Sequence, residues 1–316
     1  MRSHCEHSGS LQYQQVHTLP SAHITLHNNN SKGAPRLIGD TFIPMIPTSL
    51  VLFSLPTMSI LHTLPPLTRV RVIRRPSAII KSPYVADIEF ETGEQALCHT
   101  PGLGCSGLVA PGRTVFVSCA TNPLAKTQYT TQMAECEDAE GTYYVGVHPM
   151  ISQAMAGQLL HRISANNTIW KSEVKLDAHT RIDFVGTTME GKTIYVEVKN
   201  AMISHQASTV ERASRRAVFP DGFRVSKQDT FSPRALKHAA CLAERAVEPN
   251  TEAYLLYLVP RSDCGGGLEL NVADPVYRAC VAKAVNQGVK VRVFGLAFDR
   301  GGNITFTQEL PFAALD

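Results

Sequence analysis

The chain has 316 residues, 44% hydrophobic and 18% charged, which fits one or two globular domains with sizeable cores. A formal net charge of +3 excludes a nucleic-acid argument from bulk charge, so any such argument must rest on local clusters. The eight cysteines include no C-x-x-C pair and suit neither a zinc site nor a disulfide scaffold; reduced thiols in an intracellular, reducing compartment are the expectation.

Residues 1–65 hold two acids, Glu6 and Asp40, and six of the twelve histidines. Their apolar stretch, "TFIPMIPTSLVLFSLPTMSILHTLPPL", is broken by prolines and offers no uninterrupted run long enough to span a bilayer. No membrane association is expected. The segment reads either as an organelle-targeting peptide or as a disordered extension.

From residue 66 the pattern becomes regular. "LTRVRVIRR", "YVADIEFE", "EQALCHT", "TVFVSCA", "TQYTTQM" and "TYYVGV" are short strand-like segments, separated by turns such as "ETGE" and "APGR". That spacing predicts a small antiparallel β-barrel over 66–146. At His148-Pro149 the period changes. "PMISQAMAGQLLHRI" has helical spacing, with Pro149 suited to the first turn. Strands "KSEVKLD", "RIDFVGT" and "TIYVEVKN" follow, and 201–231 reads as an irregular loop. A helix capped by Ser232, a buried strand "EAYLLYLVP", a helix capped by Asp274 and stopped by Gly288, and two last strands complete an α/β half over 147–316. The fold class is thus α+β in sum: a small barrel, then an α/β domain ordered α-β-β-β-α-β-α-β-β.

Chemistry concentrates in "RIDFVGTTMEGKTIYVEVK". Side chains alternate along a strand, so Glu197 and Lys199 share a face. The fourteen-residue interval back to Asp183 leaves room for a hairpin that brings the two carboxylates together. Such a pair repels unless a cation neutralises it. One answer is Mg²⁺, with Mn²⁺ as an equivalent, held by Asp183 and Glu197 with Glu173 as a further ligand and Lys199 orienting the attacking water. The other is an ordinary cross-strand ion pair.

The segments "SEVKLDAHTRIDFVG" and "IYVEVKNAMI" resemble the catalytic segment of the SfsA family, the sugar fermentation stimulation proteins, which are similar to the PD-(D/E)xK nuclease superfamily. Three more stretches agree. "ALCHTPGLGCSGLVAPG" resembles the family's H-x-P-N-T-G segment. "YVGVHPMISQAMAGQLL" resembles its V-G-V-N-T helix start, and "FPDG" with "RALKHAACLAE" its F-P-D…R-G-x-K-H-L helix. The sequence departs from the pattern at Pro101-Gly102-Leu103-Gly104, at Val147-His148-Pro149, and at Ala235 and Leu236, while Arg234, Lys237 and His238 remain. The resemblance implies an OB-like barrel followed by a PD-(D/E)xK nuclease-like domain. It also implies binding to nucleic acid, DNA before RNA, and a Mg²⁺-dependent nuclease with Asp183, Glu197 and Lys199 as catalytic residues. The alternative is a DNA-binding regulatory protein without catalysis.

Two basic clusters bear on binding. "TRVRVIRRPSAIIK" puts Arg69 and Arg71 on one strand face; they either track a nucleic-acid backbone or protect an edge strand. Seven Lys or Arg run from Arg212 to Lys237 against Asp221 and Asp229, reading as a phosphate-holding loop or a solvated one. Within that run, Arg234 and Lys237, with the neighbouring His238, are assigned to nucleic-acid contact; for His238 a bland surface position is the alternative.

Overall fold

Val70 and Val72 alternate with Arg69 and Arg71 along one strand, and the structure, a computed structural model, buries the valines and exposes the arginines. It describes residues 59–313, apart from Gly104, Ser106, Pro123, Asn166 and the stretches 178–179, 207–209 and 223–228. The expected extension lies outside the described residues, except at its end. There β1 (Ile60–Thr63) is a strand, paired with a strand near the C-terminus.

Strands β2 (Thr68–Arg74), β3 (Val85–Glu89), β4 (Gln95–His99), β5 (Thr114–Cys119) and β6 (Tyr129–Asp138) pair in the order β4-β3-β2-β5-β6. A short parallel pairing of β4 with β6, Cys98 opposite Tyr129 and His99 opposite Thr130, joins the ends and closes a ring. Closure removes the free edges, and β2 lies between β3 and β5. Arg69 and Arg71 therefore do not protect an edge strand. Strand β7 (Gly141–Gly146) extends the ring as a hairpin on β6. The ring is filled by Val70, Val72, Ile88, Val115, Val117 and Val145 among others.

The second half keeps the nine expected elements in order and adds two short strands between them. Helix α1 (Pro149–Leu159) leads to β8 (Ile169–Lys175), β9 (Arg181–Thr187) and β10 (Thr193–Asn200). Then come β11 (Arg216–Phe219), α2 (Pro233–Ala246), β12 (Thr251–Val259), β13 (Gly267–Leu270), α3 (Pro275–Asn286), β14 (Lys290–Phe298) and β15 (Asn303–Glu309). One sheet of seven strands runs β1-β15-β14-β12-β10-β9-β8, with β10, β12 and β14 parallel. Strand β12 has helices over both faces, which is why "AYLLYLV" is one unbroken apolar run. Met155, Ala156 and Leu159 of α1 pack on one face, against Phe184, Val196 and Leu256. On the other, Ala239 and Leu242 of α2 and Tyr277 and Val281 of α3 cover Ile182, Leu255 and Tyr257.

The caps read from sequence are in place. Ser232 accepts from Ala235 N at 3.2 Å, Asp274 accepts from Tyr277 N at 2.9 Å, and Gly288 follows α3 at φ +102°. Asp274 also takes Thr230 Oγ1 at 2.7 Å and Phe231 N at 2.8 Å, so one buried carboxylate ties the start of α3 to the start of α2. The expectation of an irregular loop over 201–231 fails at β11, which pairs in parallel with β13. Strands of four residues are too short to show a period.

The ring meets the sheet tightly: a Cβ on Gly146 would stand 2.4 Å from the Phe298 ring. A buried ionic network closes the same junction. Arg261 holds Asp263 with two bonds, at 2.6 and 2.7 Å. Arg215 links Asp263, at 2.7 Å, to Asp138 at the end of β6, at 2.8 Å, and Arg212 adds a bond to Asp138 at 2.6 Å. Arg212 and Arg215 thus fasten residues 212–215 to the ring, and they are not free to hold phosphates. The Arg212 hydrogen bond, with Arg215 beyond it, holds Asp138 well below the usual carboxylate range. Burial alone would raise Asp263, but Arg261 and Arg215 hold it down.

Asp263→Ala leaves two guanidinium groups buried beside a hole, and is expected to cost about 3–5 kcal/mol in denaturant unfolding at neutral pH. Carboxyls with depressed folded pKa values stabilise above the ordinary Asp range and lose that contribution as pH falls through it. The difference between wild type and variant should therefore shrink toward pH 3. A loss below about 1 kcal/mol at neutral pH would show that the network is replaced by water.

Candidate active site

Strands β8, β9 and β10 set the site through their register. Ser172 pairs with Phe184 and Val174 with Ile182, which puts Glu173 opposite Asp183. The ladder between β9 and β10 ends at Phe184 and Val196, so Asp183 and Glu197 come next in register, one residue beyond the last pair, where the strands part. In place of the next ladder bond, Asp183 Oδ2 accepts from Val198 N at 2.7 Å. The parting also breaks alternation: Ile182 packs under α2, whereas Phe184 packs under α1. Glu173 itself takes the left-handed conformation, φ 54°.

These features open a cleft of about 850 Å³ lined by Glu173, Asp183, Lys199 and Asn200 from the strands, Ser152 and Gln153 from α1, and Arg181 and Arg234. Gln153 Nε2 donates to Glu173 and, at 3.3 Å, to Asp183 Oδ1, tying the two acids together. Arg181 reaches Glu173 at 3.4 Å. Ser152 Oγ donates to Asn200 Oδ1 at 2.9 Å.

Glu197 lies beneath this wall, 1% exposed. Its Oε1 accepts from Lys199 Nζ, as the shared strand face predicts, and from His238 Nδ1 on α2. A carboxylate only accepts, so Nδ1 carries the proton. Nζ and Nδ1 stand 3.4 Å apart, two donors converging on one oxygen. Glu197 Oε2 is buried with no hydrogen-bond partner among the described residues.

The charges of the two acids are pushed apart. Burial first, then the charge of Glu197, raises Asp183 to about 6. Burial is also the largest influence on Glu197 and acts upward, but the His238 hydrogen bond and the Lys199 charge outweigh it and hold the group below the usual range. Among the described residues no group of three or more His, Cys, Asp and Glu stands ready to hold a metal. Glu173, Asp183 and Glu197 form a row across three strands, with Glu197 turned to α2 and the other two open to the cleft.

Of the residues expected to meet nucleic acid, Arg234 lines the cleft, and Lys237 is exposed on α2 without lining it. His238 is 5% exposed and belongs to Glu197; the surface position is excluded because α2 packs that face onto β10. Arg69 is paired with Glu135 of β6 at 2.6 Å and Arg71 with Glu89 of β3 at 2.6 Å, so their charge is compensated within the ring. Sequence reading missed Gln153, Ser152, Asn200 and Arg181. Only Arg181 carried a signal, standing two positions before Asp183.

Comparison with known proteins gives the same family from independent directions. Residues 147–302 match the family model described as "Sugar fermentation stimulation protein RE domain". A sugar fermentation stimulation protein homolog of Nitrosococcus oceani is 31% identical over 235 residues, covering 72% of this chain and 91% of its own. One from Acaryochloris marina is 34% identical over 236 residues, covering 72% of this chain and 86% of its own. The chain belongs to the sugar fermentation stimulation protein family. The structure of Pyrococcus furiosus SfsA in complex with Ca²⁺ has the same fold: TM-score 0.65 at 18% identity, over 81% of this chain and all of that one. No helix among the described residues of this family member is long and apolar enough to cross a membrane.

The raised pKa of Asp183 has a sign that can be measured. The folded protein holds this proton more tightly than the unfolded chain, so stability falls as pH rises from the ordinary Asp range, about 3.9, toward 6. Asp183→Asn keeps an acceptor for Val198 N and removes the repulsion. In metal-free buffer at pH 7 it is expected to stabilise by about 2 kcal/mol, the size of the shift discounted for partial exposure, with the gain gone at pH 4. Equal melts of variant and wild type at both pH values would show that Asp183 and Glu197 do not interact.

Proposed function

We propose that this family member is a divalent-cation-dependent phosphodiesterase that hydrolyses nucleic acid, DNA before RNA. The observation that carries the proposal is that Asp183 and Glu197 stand next in register where β9 and β10 part, with Asp183 and the Glu197-bound Lys199 on the wall of a cleft.

The residues fit a hard divalent ion. The donors are oxygens, Asp183 is raised by burial and then by its neighbour's charge, and Glu197 Oε2 has no hydrogen-bond partner among the described residues. Asp183 and Glu197 would hold Mg²⁺ or Mn²⁺, with Glu173 as a further ligand through its row position. Mg²⁺ asks for only one or two carboxylates and keeps several waters, so a ready-made protein cage is not required. The Pyrococcus furiosus relative was solved with Ca²⁺, another oxygen-seeking ion. When bound, the ion acidifies a water and offsets charge on the phosphate oxygens.

The chain's own groups do the rest. Gln153 orients Asp183 and Glu173. Asp183, at about 6, is mostly ionised at neutral pH. Lys199, 11% exposed, presents its ammonium to the attacking water or to the developing charge on the phosphate. Arg234 and Arg181 on the cleft wall bind flanking phosphates, which position the strand without reading bases.

A second reading, nucleic-acid binding without catalysis, is favoured by one observation: Glu197 already has two donors, and an ion triad can be purely structural.

Incubation with labelled single- and double-stranded DNA and RNA, in Mg²⁺, Mn²⁺ or EDTA, separates the two. Cleavage is expected with either ion and not with EDTA. Asp183→Asn should abolish it, by more than about a hundredfold, and leave binding largely intact; Lys199→Ala should lower the rate while keeping the Mg²⁺-dependent rise in melting temperature. No cleavage of any substrate and no Mg²⁺-dependent rise in the wild type would leave the binding-only reading.

The cleft also predicts which cations matter for affinity. Arg234→Ala should weaken binding and flatten its salt dependence by about one ion. Arg69→Ala, which removes a charge already paired with Glu135, should change the slope far less. The reverse ranking in filter-binding titrations would move the interface to the ring.

A further inference from the structure

We propose that His238 is the fixed partner of Glu197 and that it thereby frees Lys199 to serve the substrate; this deepens the phosphodiesterase reading and rests on it. Lys199 Nζ and His238 Nδ1 both donate to Glu197 Oε1, so that oxygen keeps a donor if either one leaves. The two donors differ in where they stand. Lys199 lines the cleft, whereas His238 is 5% exposed and does not.

A carboxylate as deeply buried as Glu197 cannot lose its last partner without a large penalty. Were Lys199 the sole partner, moving its ammonium to a phosphate would strand that charge. With His238 in place, one hydrogen bond to Oε1 persists while Lys199 turns into the cleft, and Oε2 stays directed by a carboxylate that does not rotate. The support under His238 is rigid. Ala235, Ala239 and Leu242 anchor α2 in the core, Ser232 caps it, and Asp274 fixes the residues just before it. His238 is thus a positioning residue, acting on Glu197 and Lys199 rather than on the substrate.

The test begins without metal, so it does not depend on cleavage. Thermal melts are compared for wild type, Lys199→Ala, His238→Leu and the double variant. With His238 present, Lys199→Ala should lower the melting temperature by at most about 3 °C; with His238→Leu the same change should cost at least about twice as much. His238→Asn keeps an N–H near the position of Nδ1 and should restore the small cost. If the double variant does not fold, His238→Asn with Lys199→Ala must fold. Equal cost of Lys199→Ala in both backgrounds overturns the proposal.

The second arm is kinetic. His238→Leu should lower kcat at least about tenfold and raise the Mg²⁺ concentration for half-maximal rate, with KM for nucleic acid unchanged; His238→Asn should recover to within about threefold. A His238→Leu variant that melts lower but cleaves with wild-type kcat and Mg²⁺ dependence, or a His238→Asn variant as poor as His238→Leu, overturns the positioning role. Coupling in the melts with no cleavage by wild type overturns the phosphodiesterase reading, and with it the service of Lys199 to a substrate. Cleavage without coupling overturns the role of His238 alone.

Discussion

A carboxylate removed almost completely from water must be paired or give up its charge, and the site is arranged around that constraint at Glu197. Two donors from different elements meet one of its oxygens: Lys199 from the same strand and His238 from a helix that crosses beneath. Their combined effect holds Glu197 below the usual carboxylate range despite its burial, and burial first, then the charge of Glu197, raises Asp183 to about 6. One buried acid thus sets the electrostatics of the cleft wall. Removing both donors would leave an unpaired charge where desolvation is worth several kcal/mol.

The fold serves that pair by parting two strands. Up to Phe184 and Val196 the β9–β10 ladder is regular. Beyond it, the backbone N–H of Val198 is satisfied by the Asp183 side chain rather than by a neighbouring carbonyl. Ending the ladder there opens the space that Gln153, Lys199 and Arg234 line. The left-handed Glu173 accompanies the same interruption on the other side of β9. Backbone hydrogen bonding is given up at the one place where the chemistry asks for open side-chain oxygens.

A second buried ionic system does a different job. Arg212, Arg215 and Arg261 converge on Asp138 and Asp263 at the junction of ring and sheet. Here guanidinium and carboxylate satisfy each other with several short bonds. The network holds residues 212–215 against the ring, which is why Arg212 and Arg215 of the basic cluster add nothing to a basic surface. The same holds for Arg69 and Arg71, matched by Glu135 of β6 and by Glu89 of the adjacent β3.

The sequence by itself determined the elements whose signals are local. Alternation marked β2 and β10, Pro149, Ser232-Pro233 and Asp274-Pro275 marked the helix starts, and the unbroken apolar run marked β12 as doubly covered. It also determined that Glu197 and Lys199 share a face, because strand geometry makes that independent of everything else. What only the tertiary structure decided were the partners. Nothing along the chain brings His238 to Glu197, forty-one residues away, or Gln153 to Asp183, thirty away. Those meetings depend on which face of the sheet each helix covers. Nor could local pattern tell a cation that faces solvent from one already matched across strands, since charge compensation depends on register between segments far apart in sequence. Residue type and spacing limit what a side chain can do; packing selects its partner, and here the partner decides whether a histidine meets a phosphate or holds a buried acid in place.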